Sequence, residues 1–204
     1  MAVLPLEYYQ TEPVTHIARD LLGKVLHTRV NGMHTAGRIV ETEAYDGRTD
    51  KACHAHLNKR TKRTEIMYHA GGVAYVYLTY GIHYLFNIVT NLEGKADAVL
   101  IRAVEPILGI DVMAERRNME EASKNMTSGP GKLSQAMGIT KALYGASLLG
   151  SEIWIEDDGH KVKDEILARE RVGIAYAQED ALLPWRYSIK NNKWVSPAVA
   201  NYTL

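Results

Sequence analysis

Residues 41 to 45, Glu-Thr-Glu-Ala-Tyr, set two carboxylates and a phenol ring at alternating positions. Residues two apart on a β-strand point the same way, so Glu41, Glu43 and Tyr45 would share one face. Two surroundings are compatible with that spacing. A half-exposed antiparallel strand carries such a polar face into water. Alternatively, the preceding Ile39 and Val40 mark a core strand, and a carboxylate sits in a cleft beside a stacking ring. A carboxylate taken out of water costs free energy unless it has a partner or a task, and the task that suits it is general-base chemistry. Further along, Cys53, His54 and His56 follow a polar turn. Two histidines at this spacing can share a strand face and bind zinc, but a third ligand and the groups that would orient it are missing. No metal is therefore expected.

Four cations, Lys59, Arg60, Lys62 and Arg63, crowd the polar run "NKRTKRT". Such a run is either a solvated charged loop or a patch that meets phosphates. Tyrosines follow at once, from Tyr68 to Tyr84. Phosphates attract cations and bases stack on rings, so the combination points toward nucleic acid. Tyr75 and Tyr77 can also be plain strand packing, where aromatics are favoured. Tyr80 differs, because a large ring at a turn beside Gly81 has little core to fill. The segment "SGPGKLSQAMG" lacks the spacing of a phosphate-binding P-loop. The helix entrance after Gly129 and Gly131 is either an ordinary one or a place for a single phosphate.

The elements that must position these residues follow from pattern. "EPVTHIARDLLG" reads as a helix capped by Thr15, with Ile17, Ala18, Leu21 and Leu22 as its apolar stripe and Gly23 as its stop. "KVLHTRV" and "MHTAGRIVETEAY" flank Asn31-Gly32, a strong hairpin signal. Residues 46–72 read as a long loop with a short helix. "VAYVYLTYGIHYLFNIV" is a second hairpin with Tyr80 at its tip, and "ADAVLIRAVEP" is a buried strand ending at Pro106. "GIDVMAERRNM" and "GPGKLSQAMGI" read as helices. Strands return around "EIWIE", "RVGIAYA" and "WRYSIK". Strands and helices do not alternate regularly, so the expected fold is α+β with a mostly antiparallel sheet.

Composition bounds the rest. The 204 residues have 46% hydrophobic side chains, 24% charged ones and no formal net charge. That length suits one domain, residues 1–204. Without a basic excess, a nucleic-acid partner needs a local patch. Twelve tyrosines against one phenylalanine supply rings with polar tips, useful where a ring meets both core and water. The single cysteine excludes an internal disulfide and fits a reducing cytoplasm. No apolar run of about 18 residues is present, so no membrane span is expected. The start "MAVLPLEYYQ" lacks the form of a signal peptide.

In order along the chain come "GRIVETEAY", His54, "YVYLTYGIHYLFN", "LIRAVEP", "SGPGKLSQAMGI" and "PWRYSIKNNKWVS". Together they resemble the alkyladenine (3-methyladenine) DNA glycosylase family of base-excision repair, from about residue 14 to about residue 198. The compact length and short N-terminus are similar to those of a bacterial member. The resemblance implies a role for each matching position. Glu43 matches the general base that activates water, and Arg102 the arginine near that water. Tyr45 and Tyr77 match rings that stack on a flipped base, and His54 the opposite wall. Asn87 matches the asparagine that crowds the 2-amino group of guanine. Tyr80 matches the side chain that fills the gap left in the duplex. The family further implies a monofunctional single-domain enzyme without metal or cofactor. Its curved antiparallel sheet has surrounding helices and a protruding β-hairpin, and its expected partner is double-stranded DNA containing damaged purines. A monomer in the cytoplasm is expected.

Physical chemistry is compatible with each role. A base inside a duplex must be rotated out before a side chain can reach it. A wedge in the vacated place repays part of that cost. Cleavage between sugar and base passes through an oxocarbenium-like state, which a carboxylate can oppose while accepting a proton from water. Spacing alone does not choose between Glu41 and Glu43. Two rival readings are a non-catalytic damaged-DNA binding protein and a zinc hydrolase using His54 and His56. The acidic stretch "EDDGHKVKDEILARE" is expected to face away from DNA.

Overall fold

The computed structural model describes residues 2–120 and 123–197. A two-residue strand β1 (Ala2–Val3) and helices α1 (Leu6–Tyr9) and α2 (Val14–Asp20) lead in. Thr15 does not cap α2. Pro13 holds that position, because a helix entrance has no acceptor for the N–H that proline lacks. The stripe forms as expected, with Ile17, Ala18, Leu21 and Leu22 buried.

Strands β2 (Val25–Val30) and β3 (Met33–Tyr45) make the first hairpin. Asn31 and Gly32 take φ of 52° and 75°, the conformation that matches the twist of the strands they join. The second hairpin is β4 (Val73–Thr79) and β5 (His83–Thr90). Next come β6 (Asp97–Leu108), α3 (Ile110–Arg116), α4 (Pro130–Ala136), β7 (Ile153–Asp157), β8 (Ile166–Arg169) and β9 (Arg186–Ile189). The architecture is α+β, and every strand pair is antiparallel. The order is β1-β7-β2-β3-β6-β5-β4, with β9 joined to β3 and β8 joined to β9.

Strand β3 curls the sheet. Its first half pairs with β2 and its second half with β9, while β6 runs along its other edge. The register against β6 slips between Ile39 and Glu41 and again between Glu41 and Thr42. Bulges of this kind bend a strand and re-aim its side chains, and these two lie at the glutamates. Ile39, Val40, Ile101 and Val104 share one core with Met113 of α3 and Leu133 of α4. A smaller cluster of Met67, Tyr75, Val89 and Ala98 backs Tyr45 and Tyr77.

Two further expectations need correction. Strand β6 continues past Pro106 to Leu108. Strand β5 accompanies it only as far as Leu100, so the proline lies where one edge is open and its missing donor is tolerated. Residues 171–177 are not a strand: Arg171 turns inward, Gly173 takes φ of 75°, and a 3-10 run follows at Ala175–Leu182. The strand lies upstream, as β8. The long loop holds two 3-10 turns, His56–Asn58 and Glu65–Tyr68. No helix among the described residues is long and apolar enough to cross a membrane.

Candidate active site

Glu41 and Glu43 are both fully buried, so the solvated strand face does not exist. Their partners divide them. Glu41 Oε1 accepts from Arg102 Nε at 3.2 Å and Arg186 Nη1 at 3.0 Å, and its Oε2 accepts from the Ser196 backbone N–H at 2.8 Å. Glu43 Oε1 accepts from the Val172 N–H at 2.9 Å and lies 3.2 Å from Arg102 Nη1. Glu43 Oε2 accepts from the Tyr45 hydroxyl at 2.8 Å. Two carboxylates and two guanidiniums thus balance in charge. Burial works against the charge on Arg102, but Glu43 and Glu41 more than offset it, and its pKa ends above the ordinary value.

A carboxylate has about four acceptor positions. On Glu43, Oε1 meets the Val172 N–H and the Arg102 guanidinium, while Oε2 meets only the Tyr45 hydroxyl, so the more open oxygen is Oε2. Glu41 lies beyond it, tied to β9 and to Ser196, and does not line the cleft. Glu43, Arg102 and the remaining pocket residues line a cleft of about 840 Å³.

The walls are aromatic. Tyr45, Tyr75, Tyr77 and His54 line the cleft with Asn87. The His54 and Tyr77 rings meet edge to face, 4.7 Å between centroids. His54 Nε2 is 3.2 Å from Arg63 Nη2, and a guanidinium can only donate. Nε2 is therefore the bare nitrogen, and Nδ1 carries the proton, donated to the Tyr75 hydroxyl at 2.8 Å. Burial, followed by the Arg63 charge, pushes the His54 pKa down to about 4. The imidazole is a neutral wall at physiological pH, and both its nitrogens are engaged. Among the described residues no three His, Cys, Asp or Glu side chains form a set that could hold a metal. Asn87 donates to the Tyr75 carbonyl at 3.2 Å, which fixes its amide. Burial first, then Glu43, raises the Tyr45 hydroxyl far above its usual pKa, so it stays protonated and donates to Glu43.

Tyr80 stands at the cleft's rim, 88% exposed, on the turn between β4 and β5. Its φ of 49° is left-handed, as is the 72° of Gly81. Leu78 and Ile82 are exposed beside it, so the tip is apolar on three sides. None of residues 156–170 lines this cleft. A buried carboxylate, a nearby cation and aromatic walls converge in this cleft.

The family model of the methylpurine-DNA glycosylases matches residues 7–193. The chain belongs to that family. Relatives bearing the name "Putative 3-methyladenine DNA glycosylase" align over nearly their whole length. One from Natranaerobius thermophilus is 47% identical over 95% of this chain and 98% of its own. One from Alkaliphilus oremlandii is 48% identical over 92% and 96%. One from Clostridium acetobutylicum is 46% identical over 93% and 95%.

The four cations expected to meet phosphates in this glycosylase do not act as one patch. Arg63 turns into the cleft, on His54 and 4.8 Å above the Tyr77 ring. Arg60 pairs with Glu65 and lies over Tyr68. Lys59 and Lys62 remain on the exposed loop. Several residues of the site escape sequence reasoning altogether. Val172, Arg186 and Ser196 hold the carboxylates, and Arg171 pairs with Asp50 behind Tyr45. The only signal for them was charge within apolar runs, "RVGI" and "WRYSI", where a buried arginine demands a buried acid.

Proposed function

We propose that this glycosylase removes damaged purines, alkylated or deaminated, from double-stranded DNA. The observation that carries the reading is Glu43: a fully buried carboxylate with one open acceptor position on Oε2, beside Arg102 in an aromatic cleft. The damaged nucleotide rotates out of the helix, at a cost of a few kcal/mol. Its base slides between Tyr45 and the His54–Tyr77 wall. Tyr80 takes the vacated place in the stack, with Leu78 and Ile82 against the neighbouring bases. Asn87 reads the purine edge, excluding an undamaged guanine by its amino group. Water held on Glu43 Oε2 then attacks sugar C1′. The C1′–N bond breaks, the base departs with the electron pair, and the water's proton passes to Glu43. Arg102 stays charged beside the carboxylate, 3.2 Å from Oε1.

Lys59 and Lys62 on the exposed loop and Arg117 and Lys132 on the cleft lining are the cations assigned to backbone phosphates. The enzyme acts as a monomer of one domain, in the compartment that holds the DNA. The test is a duplex with a single alkylated adenine, and a second with hypoxanthine, incubated with enzyme and then treated with alkali to break abasic sites. Strand breakage at the lesion is expected. Lesion binding without breakage would instead make the protein a non-catalytic sensor of damage.

A further inference from the structure

We propose that Arg171 is a positioning residue that fixes which oxygen of Glu43 serves as the base, an inference that rests on the glycosylase reading above. Arg171 is 3% exposed and does not line the cleft. Its guanidinium binds three separate parts of the chain. Nη1 and Nη2 grip the two oxygens of Asp50 in the loop after β3. Nη1 also donates to the Ala44 carbonyl at 2.8 Å, between Glu43 and Tyr45 on β3. Nη2 donates to the Asp180 carbonyl at 3.1 Å, near the end of the 3-10 run. Its Cζ lies 4.8 Å from the Tyr45 ring centre and 5.2 Å from that of Trp185.

The consequence runs through the next residue. Val172 is the donor to Glu43 Oε1, and it has no element of regular structure to hold it, since Gly173 at once turns the chain away. Arg171 therefore anchors Val172. At the same time it seats the Tyr45 ring, whose hydroxyl is the single donor on Oε2. The two donors come from residues on either side of one guanidinium: Val172 joins Arg102 on Oε1, and Tyr45 alone meets Oε2 and leaves it half open. Without that anchor, Val172 withdraws and Oε1 keeps only its contact with Arg102, so the carboxylate can turn. A two-pronged grip on a buried carboxylate is geometry that a lysine ammonium does not reproduce.

Single-turnover excision is measured beside the dissociation constant for lesion duplex and the thermal midpoint. For Arg171→Met, the excision rate at saturating enzyme falls about 30- to 100-fold, the scale of a misplaced catalytic group. Binding stays within about threefold, because Tyr45 loses only a support behind its ring while Tyr77, His54 and Asn87, which do not meet Arg171, still wall the cleft. Arg171→Lys, which keeps the charge but loses the fork, recovers part of the rate. If Arg171→Met does not fold, Arg171→Lys is judged by the same split between rate and binding. An unchanged rate overturns the proposal. So does a loss of rate and binding in parallel, which is what mere support of the fold produces. A wild-type enzyme inert on every damaged duplex would fail the glycosylase reading itself, before any variant is compared.

Discussion

Adjacent in sequence pattern, Glu41 and Glu43 are opposite in what their loss should do. Glu43 has an acceptor position to spare and a cleft in front of it. Glu43→Gln keeps the shape and most donors, so binding to lesion duplex should hold. Excision should drop by roughly 10²–10⁴, the range for a general base. A single-turnover rate within about tenfold of wild type would remove Glu43 from that role. Glu41 has every partner inside the protein: Arg102, Arg186 and the Ser196 N–H. Its replacement by Gln leaves two buried guanidiniums short of a counter-charge. That should cost about 3–5 kcal/mol of stability, read as a lower urea midpoint. Glu41→Gln with wild-type stability would mean that the two arginines find another acceptor.

At the scale of elements, the β4–β5 hairpin is built to reach outward. Tyr80 touches no core, so Tyr80→Ser should leave the fold intact and weaken capture of the lesion. The lost contact is worth roughly 1–3 kcal/mol, by analogy with base–aromatic stacking, and it falls on the flipped state. Excision from duplex should therefore suffer more than excision from single strands, where no gap needs filling. An equal loss on both substrates would place Tyr80 in support of the pocket instead. The opposite end of the sheet has its own titration. His27 on β2 and His34 on β3 face each other at 3.1 Å, with Trp154 and Glu156 of β7 and Arg29 of β2 around them. Burial lowers both histidine pKa values from 6.5, against the pull of Glu156, and for His34 Arg29 adds to it. Above that value neither state is protonated and nothing is lost. Below it the unfolded chain takes up protons that the folded pair resists, so stability should fall as pH drops toward about 5. Urea unfolding across that interval, flat in wild type, would contradict the lowered values. The hairpins, both helices after β6 and the position of Tyr80 were legible because turn chemistry and periodicity are local. The segment 171–177 was not. Its alternation looks like a strand, yet Arg171 points inward to meet Asp50, a partner far away in sequence that no local pattern reveals.

The molecule as a whole has no net charge, and that sets how it meets a polyanion. With Arg63 committed to His54 and Arg60 to Glu65, the cations proposed for phosphate are Lys59 and Lys62 on the exposed loop and Arg117 and Lys132 on the cleft lining. About four neutralised phosphates give a slope near −3.6 for log affinity against log salt. A titration with a slope twice as steep would show that a wider surface takes part. The same economy appears in the chain's own order. Glu41 and Glu43 lie near the start, yet their partners Val172, Arg186 and Ser196 come near the end. During synthesis, the strand bearing the acids leaves the ribosome long before the segments that cover them. A nascent chain stopped short of Arg171 has the tyrosine hairpin, both carboxylates and Arg102, but lacks Val172, Arg186 and Ser196, which complete their coordination. Excision is therefore expected only once translation is nearly complete, and half-made copies bearing the exposed hairpin should be catalytically silent.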